Sequence, residues 1–388
     1  MRQVVTILEV INNSFNNIFE EIPCYNTIEN WVKKCGLDIY NTSCNELNQT
    51  KYAQIVDESM MIGSEKLLLA VATPAEHLNR PLYFNDVSFL NIAVAESWNG
   101  EGVANQIETS AAKVGHAPEY VITDNAAVMN KGVRLTGFKH HHDISHSLGM
   151  FLERTYKNEV KFINYCKLMT APKFKLNMKP IAYLLPPKQR TVTRFMNMTD
   201  WIVWSRKMLE VFDNLSSEEK DVFSFIPENA TFIEELYEVQ KCINSIEKIC
   251  KNNGFSKKNV KKCKQIVSKY LLKGNERMIR LGNEINIFLT KEIEIVKKNA
   301  IHNNSSDIIE SIFGKYKYRK SPNKLNGVTS FILILPLYTK LLDNTGKNKY
   351  NFKHALENVK IKDIEVWKNE NLTPNLVQLR INKLKKTA

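Results

Sequence analysis

Apolar positions along the chain alternate between two rhythms. Val4, Leu8, Ile11, Phe15 and Ile18 recur at helical spacing. A second helix is expected from Tyr25-Asn26 through Ile28, Trp31 and Val32, with Gly36 as its stop. The next stretch changes character. YAQIVDES is a short apolar strand ending in acids, EKLLLAVATP a continuous apolar run, and VSFLNIAVAES a third strand. Continuous runs of this kind suit strands buried on both faces. In NGEGVANQIETSAAKVGH the helical period returns, with Val103, Ile107 and Val114 on one side. EYVITDNA and GFKHHHD complete the set. The order is three strands, helix, strand, helical turn, strand.

After about residue 143 the strand signal ends. Phe162, Tyr165, Cys166 and Met169 mark one helix, Trp201, Trp204, Met208 and Val211 another, and Ile233, Leu236, Val239, Ile243 and Ile246 a third. Lysine is frequent there, as in KNNGFSKKNVKKCKQ. Pro172, Pro180, Pro186 and Pro187 cluster before the main helices. From Ser305 a capped helix, SSDIIESIFGKYKYR, is followed by an apolar one, VTSFILILPLYTKLL. The end, RINKLKKTA, is basic and expected to fray. Five segments result: 1–50, helical; 51–157, first part of an α/β core; 158–300, an all-helical insertion; 301–345, second part of the core; 346–388, a basic C-terminal segment.

Charge narrows the class. Lys and Arg number 54 against 41 Asp and Glu, a formal +13 over 388 residues. Such an excess favours a polyanionic partner. No apolar run reaches the 18 or so residues of a membrane span. Seven cysteines without a Cys-x-x-Cys pair fit a reduced cytoplasmic protein with buried thiols. No G-x-x-x-x-G-K-[ST] loop is present, so a nucleotide cofactor has no support. G-x-S-x-G is absent too.

Three acids carry the candidate chemistry. Asp57 ends the first strand, Asp124 the fourth, and Glu310 lies on the capped helix. A strand-end carboxylate is rigidly held and open to substrate. Shared carboxylates can hold two divalent cations about 4 Å apart for in-line phosphodiester displacement. Hard oxygen ligands suit Mg²⁺ or Mn²⁺. Each acid alone has a plainer reading, as a turn residue or a solvated helix acid. Glu292 and Glu294 compete with Glu310, but their lysine-rich surroundings read as surface charge.

YAQIVDESM, VITDNA and IIESIFGKYK resemble the three catalytic blocks of DDE-type insertion-sequence transposases, over roughly residues 51–340. The resemblance implies an RNase H-like α/β core, a mixed five-stranded sheet interrupted by the helical insertion. It also implies Asp57, Asp124 and Glu310 as catalytic, metal-holding residues for two Mg²⁺ or Mn²⁺ ions. The expected activity is cleavage of element ends and strand transfer into target DNA, by a homodimer or larger synaptic complex on double-stranded DNA. Localisation would be cytoplasmic, at the nucleoid in a prokaryote, or nuclear in a eukaryote. Lys317, seven positions after Glu310, matches a basic residue found there in several such families. Asp143 to His146, DISH, is similar to a C/D-x-x-H motif of Mutator-like and hAT-like transposases, with an N-cap role for Asp143 as the alternative. PPKQRTVTRFMNMTDWIVW resembles an insertion-domain segment, and Lys188, Arg190, Arg194 and Arg206 are its candidate phosphate contacts.

Two departures stand beside the match. Only about 50 residues precede the core, where CYNTIENWVKKCGL resembles one helix of a partial helix-turn-helix. Asp57 is followed directly by Glu58, a competing ligand. The alternatives are a non-catalytic DNA-binding remnant of a transposase, or another nuclease of the same fold such as a junction resolvase. His140, His141 and His142 alternate across a strand, so at most two converge, and structural or DNA-facing roles are expected for them.

Overall fold

The computed structural model describes residues 1–388 except 60, 64, 177, 188–194, 196–197, 318–326, 342–349, 375 and 388. The chain divides into two compact units. The first comprises Met1–Glu76, Leu82–His141 and Ser306–Ala388; the second His77–Pro81 and His142–Ser305.

The first unit is built on a mixed sheet of β1 (Tyr52–Glu58), β2 (Lys66–Pro74), β3 (Ser88–Ala95), β4 (Tyr120–Thr123) and β5 (His140–His142). Its final residue, His142, belongs to the second unit. Spatial order is β3-β2-β1-β4-β5. β2 runs antiparallel to both β1 and β3, and β1 is parallel to β4. The five expected strands are therefore present. Apolar runs in β1, β2 and β4 follow from burial on both faces. On one face Val56, Leu68, Ala70 and Val121 meet Val103, Ile107, Met129 and Val133 of helices Gly100–Val114 and Ala127–Thr136. On the other, Ile55, Leu69 and Ile122 pack with Ile308, Ile309, Ile312 and Phe313 of helix Asp307–Lys317, and with Leu333 and Leu335.

Helix Tyr25–Thr42 does not stop at Gly36 but continues a further six residues. Gly36 is there because the backbone of Leu333 presses on the helix: a Cβ at position 36 would stand 1.8 Å from the Leu333 carbonyl oxygen. Trp31, expected in the core, is 41 % exposed. The buried stripe is Ile28, Cys35, Leu37, Ile39 and Tyr40. The C-terminal segment is helical, over Phe352–Asn358, Ile361–Asn371 and Leu376–Thr387. Ala355, Ile364 and Trp367 are buried, with Trp367 edge-on to Tyr40 at 5.7 Å.

The second unit is helical. Its helix Ile144–Tyr156 buries Ile144, Leu148, Leu152 and Tyr156 among the unit's other helices. Tyr165, Trp201, Phe225 and Phe232 form its aromatic centre. Pro172 lies within helix Val160–Leu176. Arg277 joins three elements, with Nη1 3.0 Å from Glu159 and Nη2 2.9 Å from Glu235.

All seven cysteines are free thiols, and Cys24 alone is exposed. Among the described residues, no helix is long and apolar enough to cross a membrane.

Candidate active site

Parallel pairing of β1 and β4 matches Ala53 with Tyr120, Gln54 with Val121 and Ile55 with Ile122. Asp57 and Asp124 each lie two residues beyond the last pair. Adjacent strands lie about 4.8 Å apart, so two acids 67 residues apart in sequence become neighbours at the carboxyl ends of adjacent parallel strands. Alternation puts both in phase with Ile55 and Ile122, on the face covered by helix Asp307–Lys317. That helix packs against β1.

Local bonds fix each aspartate. Asp57 is 9 % exposed, and its Oδ1 accepts from the Glu58 N–H at 2.8 Å. Asp124 Oδ1 accepts from the Ala126 N–H at 3.0 Å, a turn that starts helix Ala127–Thr136. Thr123 Oγ1 donates to the Asp124 carbonyl at 2.8 Å and lies 2.8 Å from His140 Nε2. Its single proton is thereby used, so His140 Nε2 is the donor of the second bond. β5 thus braces the end of β4 at the residue before Asp124.

Glu58 is out of phase with Asp57 and forms an ion pair with Lys66 across the β1–β2 pair. Glu310 is exposed on the first turn of its helix. At about 100° per residue, Glu310 and Lys317 lie some 20° apart on one flank, bordering buried Phe313. Lys317 Nζ stands 6.0 Å from the Phe313 ring centre. Lys315 turns to the Phe84 ring at 4.0 Å, and burial lowers its pKa.

Among the described residues, no three His, Cys, Asp or Glu side chains form a set able to hold a metal ion. Asp57 and Asp124 stand at the ends of the paired strands β1 and β4, and Glu310 lies on the helix that packs against the sheet. The donor chemistry, oxygen throughout, fits a hard divalent cation.

The other expected residues fall as follows. Asp143 is fully buried and caps helix Ile144–Tyr156, its Oδ1 accepting the His146 N–H at 2.8 Å. The D-x-x-H spacing is that of an N-cap bond. Arg206 lies 3.3 Å from Glu234 and 3.9 Å from Glu210, and stacks on Tyr237 at 3.8 Å. Its charge is answered within the protein. Lys188, Arg190 and Arg194 lie outside the described residues. The three histidines separate: His140 braces Thr123, His141 is buried edge-on to Tyr120 at 5.1 Å, and His142 Nδ1 is 2.7 Å from Glu292.

Glu292 corrects the sequence reading most clearly. It is 7 % exposed, not a surface charge, and also accepts the His142 backbone N–H at 3.3 Å. The signal was present: Met278, Leu281, Ile285, Leu289 and Glu292 continue one buried stripe. Lysines around it hid a buried acid in a basic-looking run. No family model matches the chain, and no curated protein is similar to it.

Proposed function

We propose that the chain is a DDE-type transposase with an RNase H-like core, cleaving element ends and joining them to target DNA. The observation that carries this reading is the parallel pairing of β1 with β4, which carry Asp57 and Asp124 at their carboxyl ends, beside a sheet face covered by the helix of Glu310. The strand order β3-β2-β1-β4-β5, with β2 antiparallel to its neighbours, supports the RNase H-like assignment. The helical unit falls between Asp124 and Glu310 in sequence, as an insertion would.

Asp57, Asp124 and Glu310 would hold Mg²⁺ or Mn²⁺. When bound, two such ions activate the attacking oxygen and stabilise the leaving one. The strand ends fix Asp57 and Asp124, and the Ala126 N–H orients the Asp124 carboxylate. Glu310, exposed on the first turn of its helix, would supply the third carboxylate oxygen ligand. Lys317, on the same flank, faces a phosphate of the DNA end. The substrate is double-stranded DNA, and two or more copies hold the paired ends.

Asp124→Asn preserves the bond to Ala126 and removes the charge. We expect it to lose Mn²⁺-dependent nicking and strand transfer by at least about 10³-fold (about 4 kcal/mol in the barrier), with duplex affinity unchanged. A fully active variant would refute the assignment. The exposed position of Glu310 favours a second reading, a DNA-binding remnant without catalysis. Wild-type protein that binds supercoiled DNA yet leaves it intact with Mn²⁺ would select it. DNA that is cut but never joined would point to a nuclease such as a resolvase.

A further inference from the structure

Helix Lys257–Tyr270, in the second unit, reads KKNVKKCKQIVSKY and contains no acid. Its buried side is Asn259, Val260, Cys263 and Val267. At about 100° per residue, Lys257, Lys258, Lys261, Lys262, Lys264 and Lys269 occupy an arc of roughly 160° opposite that side. Five of them are exposed; Lys264 is half-buried and donates to Thr290 Oγ1 at 2.7 Å.

Among the described residues, several cations elsewhere in this unit are ion-paired within it, and others such as Lys161, Lys167, Lys207 and Lys248 are not. Lys241 pairs with Glu238, Lys157 with Glu153, and Arg277 with Glu159 and Glu235. Among the described residues, Lys257, Lys258, Lys261, Lys262 and Lys269 have no ion-pair partner. Lys257/Lys261 and Lys258/Lys262 are like charges four apart, which disfavour a helix by a few tenths of a kcal/mol each. The array therefore weakens its own helix unless a polyanion covers it.

We infer that this lysine face docks on the phosphate backbone of duplex DNA, independently of sequence. From Lys257 to Lys269 the helix rises about 18 Å, a length of duplex axis over which each strand carries roughly five phosphates at about 3.4 Å of rise each. An anionic membrane fits less well. Interfacial helices insert large apolar groups beside their basic ones, and no exposed large hydrophobic residue lies between 257 and 270. Lysine ammonium groups on flexible stems make point-charge contacts with phosphates and read no bases. This deepens the proposed function by naming a DNA-holding surface outside the candidate active site.

The test uses the full chain and a labelled random-sequence DNA duplex, with affinity measured by anisotropy across a KCl series. Neutralising Lys257, Lys258, Lys261 and Lys262 to Gln should reduce the slope of log K against log[salt] by roughly 3 to 4, at about 0.9 per phosphate contact. Near 0.1 M KCl the dissociation constant should rise at least about tenfold. The four-Arg counterpart should keep the wild-type slope, which separates lost charge from misfolding. The docking surface is overturned if the Gln variant keeps slope and affinity, or if wild-type protein does not bind the duplex. It is also overturned if the substitutions abolish binding only to phosphatidylserine vesicles. Lysine-dependent binding by a wild type that never nicks DNA would sustain the surface while sinking the enzymatic reading.

Discussion

The substitution Gly→Ala should have opposite signs at two helical positions of the first unit. At Gly36 a Cβ would meet Leu333 at 1.8 Å from its carbonyl oxygen and 2.6 Å from its carbonyl carbon. Ordinary contact needs about 3.4 Å or more. The helix and the Leu333 backbone must separate by well over 1 Å, and backbone cannot swing aside as a side-chain tip can. Overpacking typically costs about 1–3 kcal/mol, and this contact belongs at the upper end. Better helix propensity returns about 0.8–1.0 kcal/mol, leaving a net loss of about 2 kcal/mol. At Gly314, in helix Asp307–Lys317, nothing among the described residues lies within 4 Å of such a Cβ. Only the propensity gain remains there, about 0.8–1.0 kcal/mol.

Hydrogen exchange of the slowest amides in β1 and β4, followed by mass spectrometry, reports the stability of this unit directly. Gly36→Ala should accelerate them by roughly 30-fold, and Gly314→Ala should slow them about fourfold to fivefold, at about 1.4 kcal/mol per decade. If Gly36→Ala exchanged as slowly as wild type, the close approach of Leu333 would be wrong. So would the argument that this glycine serves packing rather than termination.

Removing Arg277 as Met should cost about 3 kcal/mol, the low end for a broken buried pair, because it leaves the Glu235 carboxylate, whose side chain is only 9 % exposed, without a cation though still hydrogen-bonded by Tyr156 and Asn275. The urea transition of the helical unit should report it, and the double variant with Glu235→Met should recover most of the loss. Glu65 is 4 % exposed and accepts the Val328 N–H at 2.7 Å, and burial raises its pKa above the ordinary 4.5. A carboxyl whose folded pKa is raised contributes stability below its unfolded value and loses it as pH climbs through the folded one. Glu65→Gln keeps an acceptor for Val328. It should raise stability at pH 7 and flatten the melting-temperature profile just above pH 4.5; an unchanged profile would contradict the burial of a charge at this position.

Each strand and most helices could be read from apolar rhythm alone, because burial against a sheet or within a bundle imposes period 2 or 3.6 on a short stretch of chain. KLLLAVATP had to be buried on both faces, and Ala230–Asn253 had to be amphipathic, whatever surrounds them. The acids at strand ends were visible for the same local reason. Other outcomes depend on partners distant in sequence. Pairing of β1 with β4 brings the strand ends that carry Asp57 and Asp124 side by side, and nothing near either residue specifies that pairing. Leu333 lies nearly 300 residues from the Gly36 it presses upon, so a glycine that reads as a helix stop becomes a packing site. Glu292 looks solvated among lysines until His142 closes over it. Local pattern decides which face of an element is apolar; only the folded chain decides what that face, or a polar residue on it, will meet.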